Sequence, residues 1–338
     1  MGNNDLLTNA SLLTGGEFTL ANPITVSGGT AASSGYTLTM GGATDNTSTF
    51  AGAVTLQNDL TISQVQTTAG HALNLAGAIS GTAAGTGMNN NGTPITSPNN
   101  TGIQTVNFVG PGLMSVSGVI SNGDGTVAVN INGGTTLFAA ANTYTGATNV
   151  NAGTLLVNGS IGGSTITVNN GGTLGGNGTL SAVNVAFGGS IAPGNSTGIL
   201  NSGSFDLQTG GLLSIELGGL NAGVDYDQLN VAGGVSLAGD LQLSLLNNFS
   251  FVMGDRFFVI VNDGNDPVIG SFANANNRIS VGGVEFDVFY SGDSLSNQTL
   301  GGNDVVLQVV PEVGSAIILA SGLGILLGLR RFRMRCER

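Results

Sequence analysis

The sequence predicts an all-β protein, a parallel β-helix or related solenoid, followed by a single apolar helix near the C-terminus. Three observations lead there. Short runs such as "GTLLVNG" (153–159), "STITVNNGG" (164–172), "DLQLSLL" (240–246) and "RFFVIVNDG" (256–264) alternate or bunch apolar residues between Gly/Asn turns, which is the pattern of strands. A Gly leading into small residues and then Leu or Ile recurs at Gly134, Gly153, Gly172, Gly189 and Gly211, at intervals near twenty residues. The uncharged stretch from Val313 to Leu329 then precedes a cluster of arginines. A repeat of about twenty residues is too short for two packed helices and suits one coil of a solenoid, since a coil cannot bury its own Val, Leu and Ile until another stacks on it.

Composition narrows the alternatives. With 58 Gly among 338 residues but 41% hydrophobic ones, the chain carries too much apolar surface to remain disordered. Its glycines do not fall at every third position and it has only 7 Pro, which removes a collagen-like reading. The net charge is −12, and the first basic residue other than His71 is Arg256, so no basic face is available for nucleic acid. The single cysteine, Cys336, lies beyond the apolar stretch and leaves the body without disulfides. The opening "MGNNDLLTNASLLTGGEF" lacks the basic start and unbroken apolar core of a signal peptide, which is at odds with export. Leu6 breaks the myristoylation pattern that Met-Gly would begin.

Along the chain, residues 1–49 read as β without a recognisable motif, and 50–200 as a nearly neutral solenoid in which Asp124 is the only carboxylate after residue 60. Residues 201–308 read as an acidic β segment completing the stack, with twelve of the nineteen carboxylates between Asp206 and Asp304. Corners such as "NNGG" (169–172) suit tight turns, because Asn and Gly tolerate left-handed backbone.

The stretch "ANTYTGATNVNAGTLLVNG" (141–159) closely resembles the autotransporter-associated β-strand repeat of bacterial surface proteins. "GGTLGGNGTL" (171–180), "GGSIAPGNSTGIL" (188–200), "DYDQLNVAGGVSLAGDLQL" (225–243) and "GGNDVVLQ" (301–308) resemble the segments that follow that repeat, in the same order. The resemblance covers about residues 50–308 and implies a right-handed parallel β-helix on or outside a Gram-negative-type cell. The thirty residues after 308 are too few for the outer-membrane barrel that usually continues such passengers, so the self-translocating route is not expected.

Residues 309–338 resemble instead a PEP-CTERM sorting signal: a motif at Pro311, Glu312 and Val313, an apolar helix over 313–329, and a basic tail over 330–338. Val313 stands where that family normally has a second proline. The resemblance implies an exosortase-type processing enzyme as partner. Physical reading of the same residues agrees, since seventeen uncharged residues make a helix of about 25 Å, close to the lower limit for crossing a bilayer core. Arg330, Arg331, Arg333 and Arg335 would hold that end in the cytoplasm and place the body across the membrane. Gly324 and Gly328 have the GxxxG spacing common in such anchors.

Catalytic side chains are scarce. His71, in "TAGHALNL", is the only imidazole base and reads as a surface or edge-strand histidine. One His and one Cys cannot complete a tetrahedral metal shell, and no cofactor is expected. Oxygen ligands for Ca²⁺ are plentiful in "VDYDQ" (224–228) and "NDGNDP" (262–267), and "GGNDVVL" is similar to part of a calcium-binding nonapeptide, yet each also reads as turn chemistry. The acidic pairs Asp225/Asp227 and Glu285/Asp287 are two apart, which on a strand places each pair on one face. The expectation is therefore a non-enzymatic, exported, structural or adhesive protein, anchored in the membrane and then sorted to the surface or extracellular matrix. The rival is a polysaccharide-binding or polysaccharide-cleaving β-helix, whose partner would be an extracellular polysaccharide.

Overall fold

The computed structural model describes residues 9–27, 37–65, 68–88, 94–96, 102–246, 249–264, 266–275 and 277–310. Among them, strands stack in ten successive coils, each contributing to three faces. The first coil consists of Ala10–Thr14, Phe18–Leu20 and Ile24–Val26, and the tenth of Val235–Leu237, Asp240–Leu245 and Arg256–Asn262. Strands of neighbouring coils pair in parallel, with one isolated antiparallel bridge between Gly176 and Gly194. The chain is thus all-β and solenoid-like, as expected, and residues 10–49, which carry no recognisable motif, supply its first coil and two faces of its second.

The first and second faces merge into one 19-stranded sheet, because Thr126–Phe138 and Thr148–Val157 run continuously round the corner between them. The third face is split between a four-stranded sheet ending at Ile120–Ser121 and a second sheet starting at Ala141–Asn142. No break falls near residue 200, since Ile199–Ser202 pairs with both Thr179–Leu180 and Gln228–Val231. The acidic segment therefore continues the same stack.

Alternation along each strand builds the core. On the first face the inward positions Met40, Ile62, Phe108, Ile131, Val150, Val168, Val185 and Leu207 pair in register from coil to coil, and all are fully buried. Each coil thereby covers the apolar side chains of the one before it.

The recurrent glycines lie at the corner between the first and second faces. Gly153 has φ +74°, and a Cβ there would come within 2.4 Å of the Gly134 carbonyl oxygen in the preceding coil. Gly153→Ala therefore has to bear both left-handed strain and displacement of a backbone atom. A loss of roughly 2–4 kcal/mol is expected, read as a lowered denaturant midpoint. A second glycine column, absent from the recurrence that the sequence displays, lies between the second and third faces. There a Cβ on Gly77 would meet Gly52 O at 1.9 Å, while the amides of Ala76 and Gly77 both donate to Phe50 O.

After the tenth coil the chain adds Val268–Gly270 to the first face and then turns antiparallel. Asp304–Val310 pairs antiparallel with Arg256–Asn262 and with Val284–Gly292, which in turn pairs with Arg278–Val281. This hairpin closes the C-terminal end of the core over Phe251, Phe257 and Phe286, whose rings meet at 5.6–6.0 Å. Among the described residues no helix is long and apolar enough to cross a membrane. The expected helix over 313–329 lies outside the described residues.

Candidate functional site

Four neighbourhoods hold the side chains singled out from the sequence that fall within the described residues. The first surrounds "NTYTGATNV" (142–150). Tyr144 is completely buried, and its hydroxyl lies 2.7 Å from Thr148 Oγ1, itself 2.8 Å from Ser164 Oγ. Burial raises the Tyr144 hydroxyl well above the ordinary phenolic range, so it stays neutral. Asn142 spans the break in the third face. Its Oδ1 accepts the Ile120 amide at 2.9 Å, and its Nδ2 donates to Ala140 O (3.1 Å) and Ser160 O (3.2 Å). The motif is interior scaffolding that joins two sheets.

The second neighbourhood is the loop 218–227. The sequence places Asp225 and Asp227 on one strand face, but the structure does not. They lie in a loop in which Gly218 N–H donates to Asp225 O and Gly223 N–H to Tyr226 O, so successive residues turn in different directions. Asp225 Oδ2 accepts the Asn221 amide at 3.1 Å. Asp227 is buried instead, with Oδ1 accepting Gly198 N–H at 2.9 Å and Oδ2 accepting Glu216 N–H at 2.8 Å. Burial, aided by the nearby Glu216 charge and opposed by these two amides, pushes its carboxyl up to about 7. Next to it, Gln228 Nε2 donates to Phe258 O at 2.8 Å. "DYDQ" therefore clasps the eighth, ninth and tenth coils together.

The third neighbourhood is the cap. Asp304 Oδ1 accepts Asn262 N–H at 2.8 Å and Oδ2 accepts Ser294 N–H at 2.7 Å. Asn262 Nδ2 and Asn303 Nδ2 both donate to Asp266 O. In "GGNDVVL" and "VDYDQ" the carboxylates of Asp304, Asp227 and Asp225 thus accept backbone amides, and "NDGNDP" supplies the Asn262 amide and the Asp266 carbonyl to the same network, which is turn and clasp chemistry. Among the described residues no group of three or more His, Cys, Asp or Glu could hold a metal ion. Glu285 and Asp287 do share a strand face, opposite the buried Phe286 and Val288, but the Arg278 guanidinium holds Asp287 at 2.6 Å.

His71 lies next to Leu73–Leu75, with Nδ1 3.0 Å from Asp45 O and 3.3 Å from Asp45 Oδ1. Asp45 also accepts the hydroxyl and amide of Thr68, and these hydrogen bonds, with His71 behind them, keep its carboxyl below the usual range. The group ties two corner turns together. Pro311, Glu312, Val313, Leu329 and the arginines from Arg330 onward lie outside the described residues.

Sequence reasoning missed the outer surface. On the first face the outward positions Thr39, Thr61, Asn107, Asn130, Asn149, Thr167, Asn184, Asp206 and Ser236 pair in register, forming a straight polar column. Asn130 Nδ2 donates to Asn107 Oδ1 (2.9 Å) and Asn149 Nδ2 to Asn130 Oδ1 (3.0 Å), and a second amide ladder joins Asn132, Asn151 and Asn169. The uneven intervals between these residues hide the column in the sequence, and only the coil register reveals it.

These features define a class: an all-β, parallel solenoid-like protein whose polar clusters serve chiefly to clasp its coils. No known family model matches the chain, and no curated protein is similar enough to count as a relative.

Proposed function

We propose that the chain is a non-enzymatic, secreted or cell-surface β-helix protein, right-handed like the passenger repeats it resembles, with a structural or adhesive role. It would be sorted to the envelope or extracellular matrix through residues 309–338. The observation that carries this reading is the continuous stack of ten coils with an outward column of short polar side chains, a surface suited to contact along its length. The buried carboxylates Asp227 and Asp304 support the same reading, because their oxygens engage backbone amides that hold loops in place. The anchoring step is supported by the uncharged Val313 to Leu329 and the arginines after it.

Fractionation of cells making the full chain, and of cells making it without residues 309–338, tests the reading. The full chain is expected in the membrane and then at the surface, and the shortened one free of the membrane. Recovery of both in the cytosol would overturn the proposal. Replacement of Val313 by Pro is expected to increase cleavage of the tail where the exosortase-type enzyme is present, and unchanged cleavage would count against that partner.

The polysaccharide reading is favoured by the same polar column, in the form of binding rather than cleavage, since Asp227 is buried and holds two amides. Incubation with a panel of bacterial and algal polysaccharides separates the two. Product release that disappears in Glu285→Gln would establish an enzyme, whereas retention without release would establish a lectin-like adhesin.

A further inference from the structure

Residues 249–255 form a tip on the C-terminal cap. Phe249 and Phe251 pack with ring centroids 4.8 Å apart, and Phe251 also meets Phe286 at 5.6 Å. The next two residues do the opposite: Val252 is 63% exposed and Met253 70%. Their exposure belongs to a well-held turn, in which Asp255 N–H donates to Val252 O (2.9 Å) and Val252 N–H to Asp255 Oδ2 (2.8 Å). The same turn is stitched to the last strand, with Gly254 N–H donating to Val309 O and Val309 N–H to Asp255 O, both at 2.9 Å.

Two bare apolar side chains are therefore fixed beside Val309, one residue before the described residues end at Val310. The uncharged stretch begins at Val313, three residues after Val310, and that much chain spans at most about 10 Å. Whatever surface receives Val313 to Leu329 must lie within that reach of the tip. We propose that Val252 and Met253 are a membrane foot, entering the headgroup region of the bilayer beside the anchor and setting how the cap rests on it. The inference rests on the membrane-anchor reading of residues 313–329. The occupant is a lipid surface, because the tip is apolar and the apolar run from Val313 to Leu329 follows within that reach. Its charged neighbours are Asp255, Arg256 and the Glu285 that pairs with Val310, two acidic and one basic, a balance that gives no preference for an anionic surface over a zwitterionic one.

The full chain carrying Cys336→Ser and Met253→Cys, labelled with a small fluorophore and reconstituted into phosphatidylcholine vesicles, provides the test. A matched chain carrying Phe18→Cys places the label in the first coil, nine coils and about 40 Å away, at another exposed apolar site. A quencher carried on the lipid about 5–10 Å below the surface should cut the emission at position 253 at least about twofold and leave position 18 unchanged. Equal, negligible quenching at both positions in chains that float with the vesicles would overturn the foot while leaving the anchor intact. Failure of the chains to float would overturn both.

Discussion

Tyr144→Ala is expected to destabilise the protein by about 3–5 kcal/mol, the largest effect of any single truncation proposed here. The ring is fully buried, so its removal leaves a cavity inside the coil. Tyr144→Phe separates the ring from the hydroxyl. It should cost only about 1 kcal/mol, because Thr148 Oγ1 keeps Ser164 Oγ at 2.8 Å as a partner. Denaturant titrations of the two variants measure the difference. If Ala proved as mild as Phe, Tyr144 would not be the interior filler that the structure makes it.

The second large effect is on pH dependence. Asp227 has a folded-state pKa of about 7 against an ordinary 3.8. Between these values the folded protein holds a proton that the unfolded chain has lost, so stability falls as pH rises from about 4 to about 7 and is level above that. The full span amounts to a few kcal/mol, on the order of 4 at most. Asp45 and Asp293, whose carboxyls are held low chiefly by hydrogen bonds from Thr68 and Ser296, act in the opposite sense and only below the usual carboxylate range. Asp227→Asn should flatten the dependence between pH 4 and 7. Below about pH 7 it should also lower stability, since an amide can accept only one of the two N–H groups that the two carboxyl oxygens now hold. Melting temperatures across that window decide the matter, and an unchanged slope in the variant would exclude Asp227 as its source.

Strand character and coil length were legible because both follow from patterns local to a few residues. Runs such as "STITVNNGG" form strands, and the recurrent glycines lie at one corner, where Gly134 and Gly153 take left-handed backbone and Gly171, Gly188 and Gly210 do so one residue ahead of the recurrent Gly. Residues 10–49 were harder to assign because their coil spacing is longer, with Ala10 opposite Leu38. Leu60 likewise faces Val106, with the insertion at 82–102 intervening, so no fixed period connects the early coils with the later ones. The cap was invisible for another reason: an antiparallel strand such as Val284–Gly292 alternates just as a parallel one does, and only its partners distinguish it.

The candidate site was less legible than the fold. Reading Asp225 and Asp227 as a pair assumed a strand, and the loop that holds them reverses direction within a few residues, burying one and folding the other onto Asn221. Two-residue spacing was a sound guide for Glu285 and Asp287, which do lie on a strand, but it could not reveal that Arg278 would occupy Asp287. Asn142 offered no signal at all, because the gap it bridges exists only where two sheets fail to meet.

The amide ladders give the stack an electrical direction. In a sheet the backbone dipoles alternate and largely cancel. The amides of these Asn–Asn pairs do not: Asn130 donates to Asn107, Asn149 to Asn130, Asn151 to Asn132, Asn169 to Asn151 and Asn230 to Asn201, each from a later coil to an earlier one. Each ladder is a row of aligned dipoles whose hydrogens face the first coil and whose oxygens face the cap, so every link polarises the next. The two ends of these ladders therefore differ in polarity, and anything lying along the first face meets a surface with a head and a tail.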